Sequence, residues 1–142
     1  MEESTETFTI EQGDWLFKVR PAAGNKEDQQ VLVLVHGWTG DEYVMSIFAR
    51  RIPKNYWLLY PRGPVMSPTG GYGWLDRQDP NLGYESYRGI AEQLWERILE
   101  WMQINAVSEK PIHLMGFSQG AAICYTLAVE HPDQTGRVAA LA

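Results

Sequence analysis

The segment Gly116-Phe117-Ser118-Gln119-Gly120 constrains this chain more than any other. A bare G-x-S-x-G pattern is common by chance, so its setting decides its meaning. Before it, Ile112-His113-Leu114-Met115 reads as a buried strand, and after it Ala121 to Val129 reads as a helix apolar nearly all round. A serine between such elements occupies a sharp, strained turn that presses the residues two before and two after it together. Gly116 and Gly120 remove the side chains that would collide there. The helix then starts almost under the hydroxyl, where its unpaired N–H groups and dipole favour a developing negative charge. The competing reading is a plain Gly-Ser turn between a strand and a helix.

The rest of the chain supplies strands and helices in alternation. Thr7 to Ile10 and Trp15 to Arg20, on either side of Gln12-Gly13-Asp14, predict an antiparallel hairpin. Val31 to Val35 is a continuous β-branched and leucine run, the pattern of a strand buried on both faces. Thr39 and Glu42 then have capping-box spacing, with Val44, Ile47, Phe48 and Ile52 following on one helical face. Tyr56 to Tyr60 predicts a second buried strand, and a long Pro/Gly-rich loop runs from Pro61 to about Gly83. Tyr87, Ala91, Leu94, Trp95, Ile98 and Met102 mark an amphipathic helix, and Arg137 to Ala142 begins a fourth buried strand. This order predicts an α/β fold: a mostly parallel sheet, helices on both faces, and an N-terminal antiparallel hairpin. At 142 residues, the expectation is one domain over 1–142.

Composition excludes several classes. A net charge of −6, with no basic cluster, argues against nucleic acid and anionic membranes as partners. The N-terminal Met1-Glu2-Glu3-Ser4-Thr5-Glu6 has neither a positive start nor an apolar core, and Val31–Val35 is too short to span a bilayer; a cytoplasmic protein is expected. The single cysteine, Cys124, allows no internal disulfide, and no metal-binding cysteine spacing exists, so neither metal nor cofactor is expected.

Val31–Val35 runs into His36-Gly37-Trp38-Thr39-Gly40-Asp41; later come Pro61-Arg62-Gly63-Pro64-Val65 and Gly71-Tyr72-Gly73-Trp74-Leu75-Asp76, then Gly116 to Gly120. In this order, over Val31 to Ala142, the chain resembles the phospholipase/carboxylesterase family of α/β-hydrolases, which includes acyl-protein thioesterases and small bacterial carboxylesterases. The Gln directly after the serine narrows the match. The resemblance implies that Ser118 is a nucleophile and that the backbone N–H groups of Trp38 and Gln119 form an oxyanion hole. Family members usually carry a smaller aliphatic residue at this position; the larger Trp38 keeps the N–H in place and is expected to narrow the acyl pocket. Val65, Met66, Tyr72 and Trp74 are candidates for the apolar wall an acyl group needs; Trp74 serves equally well by packing the long loop onto the domain.

A serine nucleophile needs a base and an acid to orient that base, in the chain order serine, acid, histidine. His36 belongs to the His-Gly turn and precedes the serine, so local hydrogen bonding is its expected role. His113 reads as a satisfied core histidine. His131 ends the helix after the elbow, a helix length from Ser118, where a cation complements the dipole. Asp76 belongs to the long loop and Asp133 to a helix-to-strand loop, so neither fits the acid. The chain is therefore expected to be the N-terminal portion of a serine carboxylesterase or thioesterase acting on short- or medium-chain acyl esters. On that expectation it is truncated after the elbow and inactive alone. The alternative is a non-catalytic interaction module of the same fold that pairs through its terminal strand. A dienelactone-hydrolase-like chemistry fits less well because it prefers a cysteine nucleophile, and a peptidase of this fold usually brings a further domain.

Overall fold

The computed structural model describes residues 7–12 and 15–142. A hairpin of β1 (Phe8–Gln12) and β2 (Trp15–Arg20) opens the chain; its turn at Gly13-Asp14 lies outside the described residues. β3 (Gln30–Val35), β4 (Tyr56–Pro61), β7 (Ile112–Phe117) and β8 (Thr135–Leu141) join it in one sheet of order β1-β2-β4-β3-β7-β8. The β3–β4, β3–β7 and β7–β8 pairings are parallel, while β1–β2 and β2–β4 are antiparallel. The predicted sheet is therefore observed. A two-stranded hairpin, β5 (Val65–Met66) with β6 (Tyr72–Gly73), forms inside the segment expected as loop.

Alternation along β3 divides the core. Val31, Val33 and Val35 face α1 (Tyr84–Ile104) and α2 (Gln119–Glu130), packing against Ala91, Leu94, Ile98, Ile123 and Leu127. Leu32 and Leu34 face the opposite way, into a small cluster with Met45, Leu58 and Tyr60. Burying each such aliphatic side chain stabilises the fold by about 1.5–3 kcal/mol, so the α1–α2 face contributes most of the core. Among the described residues, no helix is long and apolar enough to cross a membrane.

Two expectations are corrected. The element after β3 is a 3-10 helix, Val44–Arg51, in which Met45 is the buried residue, while Val44 and Ile47 are exposed. Thr39 does not cap it: its φ is 69°, and Asp41 Oδ1 instead accepts the amides of Tyr43 (2.8 Å) and Val44 (3.2 Å). Glu42 is occupied elsewhere, by Arg62. The far end of this helix is tied down by Arg20, whose guanidinium donates to the carbonyls of Ala49 (3.3 Å), Pro53 (2.9 Å) and Tyr56 (3.2 Å). The second correction concerns β8. It begins at Thr135 and is half-buried or exposed along its length, because it is the edge of the sheet.

Candidate active site

β7 delivers the chain to Ser118, and α2 starts at the next residue. Ser118 has φ 55° and ψ −115°, a conformation costing a non-glycine residue about 1–3 kcal/mol. Neighbouring groups hold it there. Its amide donates to the Leu141 carbonyl on β8 (2.8 Å), and its carbonyl accepts from Ala121 (2.9 Å) and Ala122 (3.3 Å). The side chain makes no capping bond, and the residue is exposed, so the hydroxyl is free at the helix N-terminus. A Cβ on Gly116 would strike the Gly120 carbonyl, as the elbow requires. A Cβ on Gly120 would strike the carbonyls of Val35 and His36, so the second glycine is needed against the neighbouring strand, not against Gly116.

The turn after β3 lies directly beside the elbow. A Cβ on Gly37 would sit 2.9 Å from the Phe117 carbonyl oxygen and 3.2 Å from Ser118 Cβ. Gly37 O accepts from the Gly40 amide (3.1 Å), closing the turn that carries Trp38. The Trp38 ring lies against Gly73, where any side chain would collide with it, and the Tyr72 amide donates to Gly40 O (2.7 Å). The Trp38 turn thus rests on the β5–β6 hairpin.

A second tie joins the same parts. Glu42, 2% exposed, accepts two bonds from Arg62, at 2.8 and 2.6 Å. The Arg62 guanidinium also lies over the Tyr72 ring, 4.5 Å from its centroid. These bonds hold the Glu42 carboxyl below its ordinary value despite burial, and raise Arg62 in turn. Neither member of this pair was singled out for the site from sequence; only the capping-box spacing drew attention to Glu42.

Each histidine is committed away from Ser118. His36 is fully buried; Nε2 accepts the Gly63 amide (2.9 Å), so the proton resides on Nδ1 and is donated to Gly37 O (2.7 Å). Burial pushes its pKa below the ordinary value, and the imidazole is a neutral strut of the turn, as expected. His113 is half-buried: Nδ1 accepts the Arg137 amide (2.9 Å), so Nε2 donates to Gln30 Oε1 (3.3 Å). Its ring fills the irregularity in the β7–β8 pairing, where a side chain on Gly136 would strike it. His131 bonds Glu92 Oε1 (2.7 Å) and stacks on Trp95 with centroids 4.6 Å apart, tying α2 to α1. Asp133 lines an opening beside Ile112, at the start of β7, so the strand's length, about 20 Å at 3.3 Å per residue, separates it from the elbow. Asp76 accepts the Gln78 amide in a local turn.

Of the pocket candidates, Trp74 is corrected. It is 1% exposed, stacks on Trp15 at 6.0 Å, and donates from Nε1 to His36 O (2.8 Å). No face of the ring is left for a ligand. Val65 and Tyr72 are half-buried and Met66 is 75% exposed on the hairpin.

A family model described as Phospholipase/Carboxylesterase matches residues 19–142. Comparison with curated protein sequences gives no match. Among solved structures, the chain is similar to a carboxylesterase from Mesorhizobium loti, with 20% identity, TM-score 0.75, and coverage of 94% of this chain and 63% of that one. It is also similar to the Bacillus cereus carboxylesterase, with 19% identity, TM-score 0.72, and coverage of 89% and 57%. At these identities the likeness establishes the fold, an α/β-hydrolase sheet. The chain spans less than two thirds of either structure's length.

Proposed function

This chain belongs to the phospholipase/carboxylesterase family, and from that premise we propose that it carries the nucleophile and oxyanion hole of a serine ester hydrolase. Ser118 Oγ adds to the carbonyl carbon of a small acyl ester or thioester and gives up its proton to water, which returns one to the leaving group. The backbone amides of Trp38 and Gln119 take the negative charge that develops on the carbonyl oxygen. Collapse of the tetrahedral adduct expels the alcohol or thiol, and water then releases the acid from the acyl-serine. Val65, Met66 and Tyr72, on the β5–β6 hairpin against which the Trp38 turn rests, supply apolar surface for the acyl group. The observation that carries the reading is the strained Ser118 backbone, φ 55°, with an exposed hydroxyl at the start of α2 and the Gly37 turn packed against it.

None of the three histidines in these 142 residues hydrogen-bonds Ser118, so acylation by this stretch of chain alone proceeds without an imidazole base. Loss of triad members costs about four to six orders of magnitude, leaving a residual rate from the hole alone. The expected result is hydrolysis of p-nitrophenyl acetate barely above background, with slow labelling at Ser118 by a fluorophosphonate probe. Rapid turnover abolished by Ser118→Ala would overturn the missing base; no labelling at Ser118 would overturn the nucleophile. A second reading, an interaction module, is favoured by the half-exposed outer edge of β8, and it predicts association of the chain with no labelling at all.

A further inference from the structure

Gln119 is 7% exposed, yet it is the first residue of a helix whose other buried positions are Gly120, Ile123, Cys124, Thr126 and Leu127. A long polar side chain is costly to bury unless both ends are bonded. Here both are. Oε1 accepts the Trp74 amide at 2.7 Å, and Nε2 donates to the Leu75 carbonyl at 2.9 Å. Both partners are main-chain groups of one sign each, so the orientation of the carboxamide is set: the oxygen faces the N–H and the nitrogen faces the C=O.

The bonds lead further. Trp74 passes the connection to the turn after β3, because its indole N–H donates to His36 O at 2.8 Å. That carbonyl belongs to the peptide entering Gly37, next to Trp38. The circuit closes on itself, since Gly120 lies against the carbonyls of Val35 and His36. At Gly73 the same parts meet again: a Cβ there would collide with the Trp38 ring and sit 3.0 Å from Gln119 Oε1.

We infer that the Gln119 side chain is a positioning group that sets the separation of the two oxyanion amides, by bolting the elbow to the segment that carries Trp38. The inference rests on the proposed role of those amides. It also gives a physical reason for Gln after the serine. One acceptor and one donor are needed at that reach; Glu lacks the donor when ionised, Met has no donor and only a weak acceptor, and Asn is a methylene short.

The test uses the residual reaction of the 142-residue chain, because a rate without an imidazole base reports the hole. Acylation of Ser118 by p-nitrophenyl acetate is followed by intact mass, beside hydrogen exchange at the bonded amides of Gly40, Tyr72 and Trp74. Gln119→Ala is expected to slow acylation about 10–100-fold, less than the 10²–10³ for losing a donor outright. Exchange at those three amides should rise at least about tenfold, while that of Leu94 and Ile98 in α1 stays unchanged. Gln119→Glu adds a signature that loss of packing cannot give. Protonated, it both accepts from Trp74 and donates to Leu75, so its rate relative to wild type should recover as pH falls. Gly73→Ala reaches the same junction from the other side, its Cβ striking the Trp38 ring and crowding Gln119 Oε1, and should also slow acylation.

Unchanged acylation in Gln119→Ala overturns the inference, as does an equal rise of exchange in α1, or a Gln119→Glu ratio independent of pH. Acylation that survives Ser118→Ala, or is absent in wild type, overturns the nucleophile reading instead. In that event exchange alone decides: loosening confined to the amides of Gly40, Tyr72 and Trp74 supports the bolt, and its absence overturns it.

Discussion

One face of the sheet is sealed by α1 and α2, which bury Ala91, Leu94, Ile98, Ile123 and Leu127 against Val31, Val33, Val35 and Leu114. The other face carries the 3-10 helix Val44–Arg51, and beside it a groove of about 230 Å³ runs over Leu32, Ile52, Tyr56, Met115 and Ala139. The site is built at the end of the sheet where these two regions meet. Its glycines need rigid neighbours: Gly120 packs on β3 carbonyls, and the Trp38 turn on the β5–β6 hairpin. The difference teaches that the strained elbow rests on the sealed face, while the thinly covered face has little part in holding it.

The largest expected effect tests that asymmetry directly. Ile98→Ala, in the sealed core at 0% exposure, should cost about 3–4 kcal/mol, because densely packed neighbours cannot collapse into the space. Met45→Ala, also buried, should cost about 2 kcal/mol, since the short 3-10 helix over it can settle. Urea denaturation of both variants gives the comparison, and equal losses would break it.

The Glu42–Arg62 tie comes next. Arg62→Ala leaves a carboxylate buried without its partner, at a cost of about 2–3 kcal/mol, reduced from a fully buried pair because the Arg62 side chain is 30% exposed. The pH behaviour follows from the sign. Glu42 is held below its ordinary value by Arg62, so its contribution is present above the unfolded value of 4.5 and fades as pH falls through the lower folded one. Wild type should therefore lose this stability on acidification, and Arg62→Ala should show a flatter acid limb. An unchanged limb would mean that the pair does not hold the turn.

Much of this was legible in the sequence because periodicity reports burial. The β3 and β7 runs each fell where expected, and Ala91, Leu94, Trp95, Ile98 and Met102 of α1 face the core as their spacing predicts. Failures arose where a side chain had a stronger partner than its local pattern implied. Glu42 has capping-box spacing, yet a guanidinium from β4's end outcompetes a backbone amide. Trp74 reads as a pocket wall by type, but its indole N–H is drawn to a carbonyl 38 residues away. The Gln119 carboxamide was invisible for the same reason: its partners at Trp74 and Leu75 are 45 and 44 residues distant, and nothing local marks them.

Smaller effects separate the buried from the half-buried histidine. Burial lowers the pKa of His36 and of His113 from 6.5, so the unfolded chain takes up protons first as pH falls below that value. Stability is full above it and declines through the window down to the folded values. Melting temperature should therefore drop by about a few degrees between pH 7 and 5. His36→Gln should remove more of that slope than His113→Gln, because His36 is sealed at 0% exposure. The reverse order, read from melting curves across pH, would place the greater desolvation on the open side of the sheet.

The smallest effect concerns Ile47. Helical spacing puts it on the same face as Val44 and Phe48, a pattern that predicts burial. A 3-10 helix turns by three residues, not 3.6, so that stripe does not stay on one side. Ile47 is 74% exposed, while Met45 takes the buried position. Ile47→Ser should then change stability by less than about 0.5 kcal/mol, the range of substitutions that touch nothing. A loss near the 2 kcal/mol expected for Met45→Ala would show that Ile47 is covered in solution. The thin face would then be closed by contacts beyond its own 3-10 helix, and the contrast with the α1–α2 face would shrink accordingly.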